Sequence, residues 1–152
     1  MDQFDKNILR LLQEDSSLSN AEIANRVGLS ATPCWRRVQN LQQRGYIRKQ
    51  VALLDRNKID LGVDVFVSIK TSRHNADWLT SFAEAVSSFP EVVEFYRMSG
   101  DIDYLMRVVV SDIRAYDAFY RRLIERVDIQ DVSSSFAMER IKYTTALPLD
   151  RA

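Results

Sequence analysis

Cysteine is almost missing from this 152-residue chain: Cys34 stands alone, so no intramolecular disulfide framework can form. Histidine is as scarce, with His74 the sole example, and no Cys or second His lies near it in sequence. One His and one Cys assemble into neither a metal cluster nor a nucleophile–base pair. The four glycines form no Gly-rich phosphate loop. These absences argue against an enzyme and imply no cofactor. No apolar run approaches the roughly 20 residues that cross a bilayer. The opening MDQFDKNILRLLQED is acidic and amphipathic, unlike a secretory signal, so a cytoplasmic protein is expected. Low-complexity tracts and solenoid-period repeats are also missing.

Net charge is missing too, but only as an average. The chain carries 21 Lys+Arg and 21 Asp+Glu. Residues 1–50 hold eight basic and five acidic side chains, a surplus of +3, so the remainder carries −3. From Ile23 through Leu54 there is no acid at all, while Arg26, Arg36, Arg37, Arg44, Arg48 and Lys49 fall in that window. A phosphate backbone can approach such a surface without repulsion, and each arginine can neutralise one phosphate. The two parts are expected to have different partners.

What is present in that window is a pair of helix signals. Ser19 followed by Glu22 is a capping box. Ala21, Ile23, Ala24 and Val27 give a short helix one apolar face, and Gly28 ends it. Ser30 offers a second N-cap, and Pro33 fits a first helical turn, where its missing N–H is harmless. Val38 and Leu41 face inward, with Trp35 three residues before Val38, and Gly45 suits the position just past the helix end. A helix, a tight glycine turn and a longer helix make a helix-turn-helix, whose second helix can enter a DNA major groove. Ser30, Thr32, Arg36, Arg37, Gln39, Asn40 and Arg44 can bond phosphates or base edges, and Trp35 either reaches a thymine methyl or the backbone or packs partly into the core beside Val38.

The rest of the chain reads in order. Asp2–Gln13 is a bracing helix with Phe4, Ile8, Leu11 and Leu12 inward. Residues 46–54 read as a strand or wing, and 55–62 as a linker. VDVFVSIKT (63–71) alternates as a strand, 75–89 is a helix ended by Pro90, EVVEFYRM (91–98) is a strand, and SGDID (99–103) is a turn. YLMRVVV (104–110) is a strand apolar on both faces except Arg107. A helix capped by Ser111 or Asp112 follows, burying Ile113, Tyr116, Phe119, Tyr120, Leu123, Ile124 and Val127. Residues 131–143 read as a last strand. The order β-α-β-β-α-β gives a ferredoxin-like sandwich with both helices on one face. The expected class is therefore α+β: a three-helix winged helix-turn-helix (1–47), a connecting strand and linker (48–62), and a ferredoxin-like domain (63–152). An uncovered apolar sheet face asks for a second copy under two-fold symmetry, which would pair two recognition helices for successive major grooves.

Taken together, LSNAEIANRVGLSATPCWRRVQNL, GYI followed by ALLD, SGDIDYLM and SSSFAMERIKYTTALPL resemble, in order and spacing, the Lrp/AsnC (feast/famine) family of regulators over essentially the whole chain. The resemblance implies a transcriptional regulator that binds double-stranded DNA through its N-terminal domain. It implies homodimers assembling to tetramers or octamers, and a small amino-acid effector bound between dimers. Carried over, the effector residues are Met98, Gly100, Asp101, Asp103 and Tyr104, with Ser134, Ser135, Phe136 and Ala137 opposite them. The ending KYTTALPL is similar to a branch tuned to cysteine, branched-chain or other neutral amino acids. An architectural DNA-compacting protein with little ligand response is the alternative.

Several residues carry two readings. Gly100–Tyr104 is either a ligand turn, with backbone N–H groups on a carboxylate and aspartates on an ammonium, or an ordinary β-turn. Arg97 and Arg107 either clamp a carboxylate or pair with acids on an interface rim. Cys34 is either a small buried side chain or a thiol activated at a helix start. The aromatics Phe95, Tyr96, Tyr104, Tyr116, Phe119 and Tyr120 form a core and interface, or else a nucleobase platform.

Overall fold

The computed structural model describes residues 1–72 and 75–150. Two compact units result: Met1–Leu53 with the tail from Ile141 onward, and Leu54–Arg140. His74, the sole histidine, lies outside the described residues. No described helix is long and apolar enough to cross a membrane.

The first unit holds α1 (Gln3–Glu14), α2 (Asn20–Val27) and α3 (Ala31–Gln43). Both of the first two helices start on reciprocal capping boxes, Asp2 with Asp5 and Ser19 with Glu22. Each box satisfies two backbone N–H groups that a helix start leaves orphaned. Gly28 caps α2 at φ 74°, a left-handed conformation that costs glycine little. Ile8, Leu9, Ile23, Ala24, Val27, Cys34 and Leu41 close into one core. Two details differ from the periodicity reading. Cys34 takes the inward position seven residues before Leu41, and Trp35 turns outward at 53% exposure. Phe4 is also exposed, its ring covered by the Arg37 guanidinium at 5.4 Å.

Residues 48–53 form no strand. The first unit contains no other strand among its described residues, so an extended segment there has no ladder partner. The last stretch also differs from expectation. The final strand is Asp131–Phe136, and the chain from Ile141 joins the helical unit instead of continuing the sheet. The side chain of Gln13 explains this: its Oε1 accepts the Leu147 N–H at 2.7 Å and its Nε2 donates to the Leu147 carbonyl at 3.2 Å. Leu149 packs on the helical core, and Arg10 pairs with Asp150. The sequence reading places this tail with the second domain, 63–152, whereas by its packing it lies with the first unit.

In the second unit a 3-10 turn (Arg56–Ile59) precedes β1 (Val63–Lys70), α4 (Ala76–Ser87), β2 (Val92–Arg97), β3 (Tyr104–Val110), α5 (Ile113–Arg126) and β4 (Asp131–Phe136). The antiparallel sheet has the order β2-β3-β1-β4. Alternation decides which face is buried: Val65, Val67 and Ile69 of β1 pair with Val108, Met106 and Tyr104 of β3, all on the helix side. Phe82, Val86, Phe119 and Leu123 of the two helices fill the layer between. Asn75 and Asp112 cap α4 and α5. Ile113 and Ile124, expected inside, are exposed. Ile124 sits one residue, about 100°, off the Tyr116–Phe119–Leu123 stripe.

The opposite sheet face is only partly apolar. Phe66, Leu105, Val109 and Tyr96 lie there beside a polar group, Asp64, Arg107 and Glu94.

Candidate functional site

The DNA-reading candidates sit on α3 and its ends. Ser30 is the N-cap residue, with extended backbone and no side-chain cap bond, so its hydroxyl is not committed to the helix. Thr32, Pro33, Trp35, Arg36 and Asn40 are all exposed. The exposed side thus offers a cation, an amide and hydroxyls that can contact phosphates and base edges. Asn20 of α2 fixes where this helix begins: its Nδ2 donates to the Ala31 carbonyl at 2.7 Å. No periodicity marks that bond.

Arg37 is placed differently. Its Nη1 donates to Asp2 Oδ2 and Asp5 Oδ1, each at 2.8 Å, and its guanidinium covers Phe4. The acids of the α1 capping box therefore hold it to α1, and bonds to Asp5 and Asp2 push its pKa up. Arg44, the C-cap residue of α3, lies over the Tyr46 ring at 4.9 Å and donates to its hydroxyl at 3.2 Å. It remains exposed at the end of the reading helix. Cys34 is fully buried, and burial pushes its thiol pKa up, against the redox reading.

The effector candidates fall in two places within the second unit. Met98 donates its N–H to the Asp103 carbonyl at 2.8 Å, closing the turn, and Gly100 adopts φ 112° within it. Asp101 is exposed. The Asp103 carboxylate accepts the Thr71 N–H at 2.8 Å, and its own N–H donates to the Ile69 carbonyl at 2.9 Å. Asp103 thus ties the turn to the end of β1. Tyr104 is buried among the rings of Trp78, Phe82 and Phe95, as core. The remaining candidates lie on β4 and just beyond it. Ser134 bonds the Tyr116 hydroxyl, and Phe136 meets the Tyr116 ring edge-on at 5.2 Å. Ser135 faces the open side opposite Phe66. Ala137 donates its N–H to the Asp64 carbonyl at 3.0 Å.

One chain does not bring these two groups together. Strand β1 separates β3 from β4. Tyr104 stands in the row of Ile69, whereas Ser134 and Phe136 stand in the rows of Val67 and Val65, farther from the turn. The aromatic cluster is largely resolved as packing, with Phe82 joining Phe95 and Tyr104 at 5.1–5.4 Å. Arg107 donates to Asp64 at 3.0 Å and Glu94 at 3.2 Å, as an ion-paired strand arginine.

A helix-turn-helix with an exposed basic reading face, joined to a ferredoxin-like sandwich, defines a two-part DNA-binding regulator. Residues 1–48 match the family described as winged helix-turn-helix DNA-binding, and 64–147 match the Lrp/AsnC ligand binding domain. The chain belongs to the Lrp/AsnC family and is a DNA-binding transcriptional regulator. It is 49% identical to the DNA-binding transcriptional activator DecR of Escherichia coli (strain K12), over 99% of each chain. It is 64% identical to an AsnC family transcriptional regulator from Agrobacterium tumefaciens, whose crystal structure superimposes with a TM-score of 0.97 over 99% of this chain and 98% of that one. A transcriptional regulator from Neisseria meningitidis, solved as a complex with L-Met, is 36% identical with a TM-score of 0.94 over 99% and 97%.

Proposed function

We propose that this regulator reads its operator as a homodimer and changes assembly or DNA affinity when a small neutral amino acid binds between copies. Thr32, Trp35, Arg36 and Asn40 supply the reading face, with Ser30 and Pro33 at its start and Arg44 at its end. Met98, Gly100, Asp101 and Asp103 of one copy would meet the Ser134–Ala137 segment of another. The observation that carries this reading is the separation of those two groups within one chain: a ligand touching both needs a second copy. The L-Met complex of the Neisseria relative supports the ligand class. Cysteine and branched-chain amino acids belong to the same neutral class.

Two further features favour a dimer. Residues 48–53 have no regular structure and no ladder partner, and a groove of about 750 Å³ beside them is lined by Leu9, Leu12, Tyr46, Ile47 and Val51. Val51, Leu53 and Leu54 are all more than half exposed. Unpaired backbone beside apolar surface is matched by the same segment of a second chain.

A thermal-shift screen against the amino acids, read beside native mass spectrometry, tests the proposal. A ligand at 100 times its dissociation constant should add about 2.7 kcal/mol of stability. Stabilisation by a neutral amino acid with a change in mass distribution is expected. Silence across all of them overturns sensing and favours an architectural DNA-compacting role.

A further inference from the structure

The chain passes between its two units twice, near residues 53–54 and again near 140–141. Each crossing has an arginine close on its second-unit side, Arg56 and Arg140. Both reach the same carboxylate. Arg56 Nη1 lies 2.5 Å from Asp64 Oδ2, and Arg140 Nε lies 3.5 Å from that oxygen. Asp64 is 6% exposed, the one buried charged residue among those described. Its other oxygen takes Arg107 of the neighbouring strand at 3.0 Å. The backbone joins in: the Asp64 carbonyl accepts the Ala137 N–H at 3.0 Å, and Arg56 Nε donates to the Leu61 carbonyl at 2.7 Å.

We infer that Asp64 is a shared latch, a positioning residue that holds both connections to the DNA-binding unit against the sheet through Arg56 and Arg140. A buried carboxylate is costly unless it is paired, and this one is paired to one arginine beside each crossing. Met138 and Ile141, flanking the second crossing, are both more than 90% exposed. Leu53 and Leu54, at the first, are about two-thirds exposed. Apolar burial therefore contributes little at these places, and the ion pairs set the direction in which each connection leaves. A connection fixed at its root restricts the space its DNA-binding unit explores. That raises the effective concentration of a second unit at its half-site. This last step rests on the paired reading proposed above; the latch itself does not.

Trypsin tests the latch directly, because it must draw the arginine side chain itself into its own pocket. In the native full-length chain, cleavage after Arg56, partly buried and hydrogen-bonded to Asp64, should be about tenfold slower than after Lys58, and cleavage after the more exposed Arg140, ion-paired at 3.5 Å, should be severalfold slower than after Lys142. Comparable rates at all four sites overturn the latch without any variant. Asp64→Asn keeps the shape and removes the charge; it should speed cleavage after Arg56 and Arg140 together and leave the two lysine sites unchanged. Acceleration at one arginine alone overturns sharing. If this variant unfolds, cleavage rises after Arg97 and Arg126 as well, and the wild-type ratios decide. In a folded Asp64→Asn protein, operator affinity should fall severalfold while affinity for random-sequence DNA holds. Opened arginines with unchanged operator affinity overturn the positioning role. Failure of the paired reading shows separately, as a monomer mass for the wild type.

Discussion

At the scale of single residues, two neighbouring arginines have opposite fates. Arg36 and Arg37 are equivalent in composition, and the sequence pattern assigns both to DNA. Arg36 is exposed on the proposed reading face, whereas Arg37 is held by Asp2 and Asp5 over Phe4. Arg36→Ala should therefore weaken operator binding and reduce the slope of log affinity against log salt by about one phosphate's share. Arg37→Met should leave that slope unchanged and lower the melting temperature instead. A salt titration by fluorescence anisotropy on both variants separates the roles; equal slope losses would return Arg37 to the phosphates. The same logic governs Cys34. Full burial and a raised thiol pKa predict that a thiol-reactive dye labels it only after unfolding. Rapid labelling of the native chain would contradict its place in the core.

At the scale of elements, most of the fold was legible because helix and strand periods are local. The Ser19/Glu22 box, the Gly28 turn and the alternation of 63–71 each depend on residues a few positions apart, and the structure realises all three. What was not legible depends on pairing across long separations. Residues 48–53 alternate only loosely and lack a partner strand. Residues 137–143 read as strand, but the tail beyond them is drawn to the helical unit by Gln13, more than 130 residues earlier, which takes both hydrogen bonds of Leu147. The candidate effector turn was legible as a turn, but the Asp103 bond to Thr71 was not. Neither was the partnership of Asp2 and Asp5 with Arg37, since no spacing rule links a helix cap to a residue two helices on. Gly28 gives the element-scale test. No atom lies within 4 Å of the site a Cβ would occupy, so the cost of Gly28→Ala is conformational alone. It should amount to about 1–2 kcal/mol, while Gly28→Asn recovers part of it, because asparagine tolerates the left-handed region. Thermal melts of both variants measure this; equal loss in the two would mean that side-chain volume, not φ, decides.

At the scale of the whole molecule, the open sheet face joins charge to architecture. Asp64, Arg107 and Glu94 form its charged part beside Phe66, Leu105, Val109 and Tyr96, and the carboxylate at their centre ties β1 to β3 and to both connections. Burial raises the Asp64 pKa, but Arg56, Arg107 and Arg140 outweigh it, so the carboxyl titrates below the ordinary range. The sign then follows. A carboxyl whose folded pKa is depressed binds its proton more weakly in the native state than in the unfolded chain. Its contribution to stability is complete above the unfolded value, near pH 4, and is lost as pH falls through the folded value below that. The stability gap between wild type and Asp64→Asn should accordingly be constant from neutral pH down to about 5. It should then narrow as pH falls below about 4, because the protonated aspartic acid comes to resemble the asparagine. Urea titrations of both proteins along that pH series measure the gap. A gap that stayed constant through acid would mean that the arginines do not depend on the charge of Asp64.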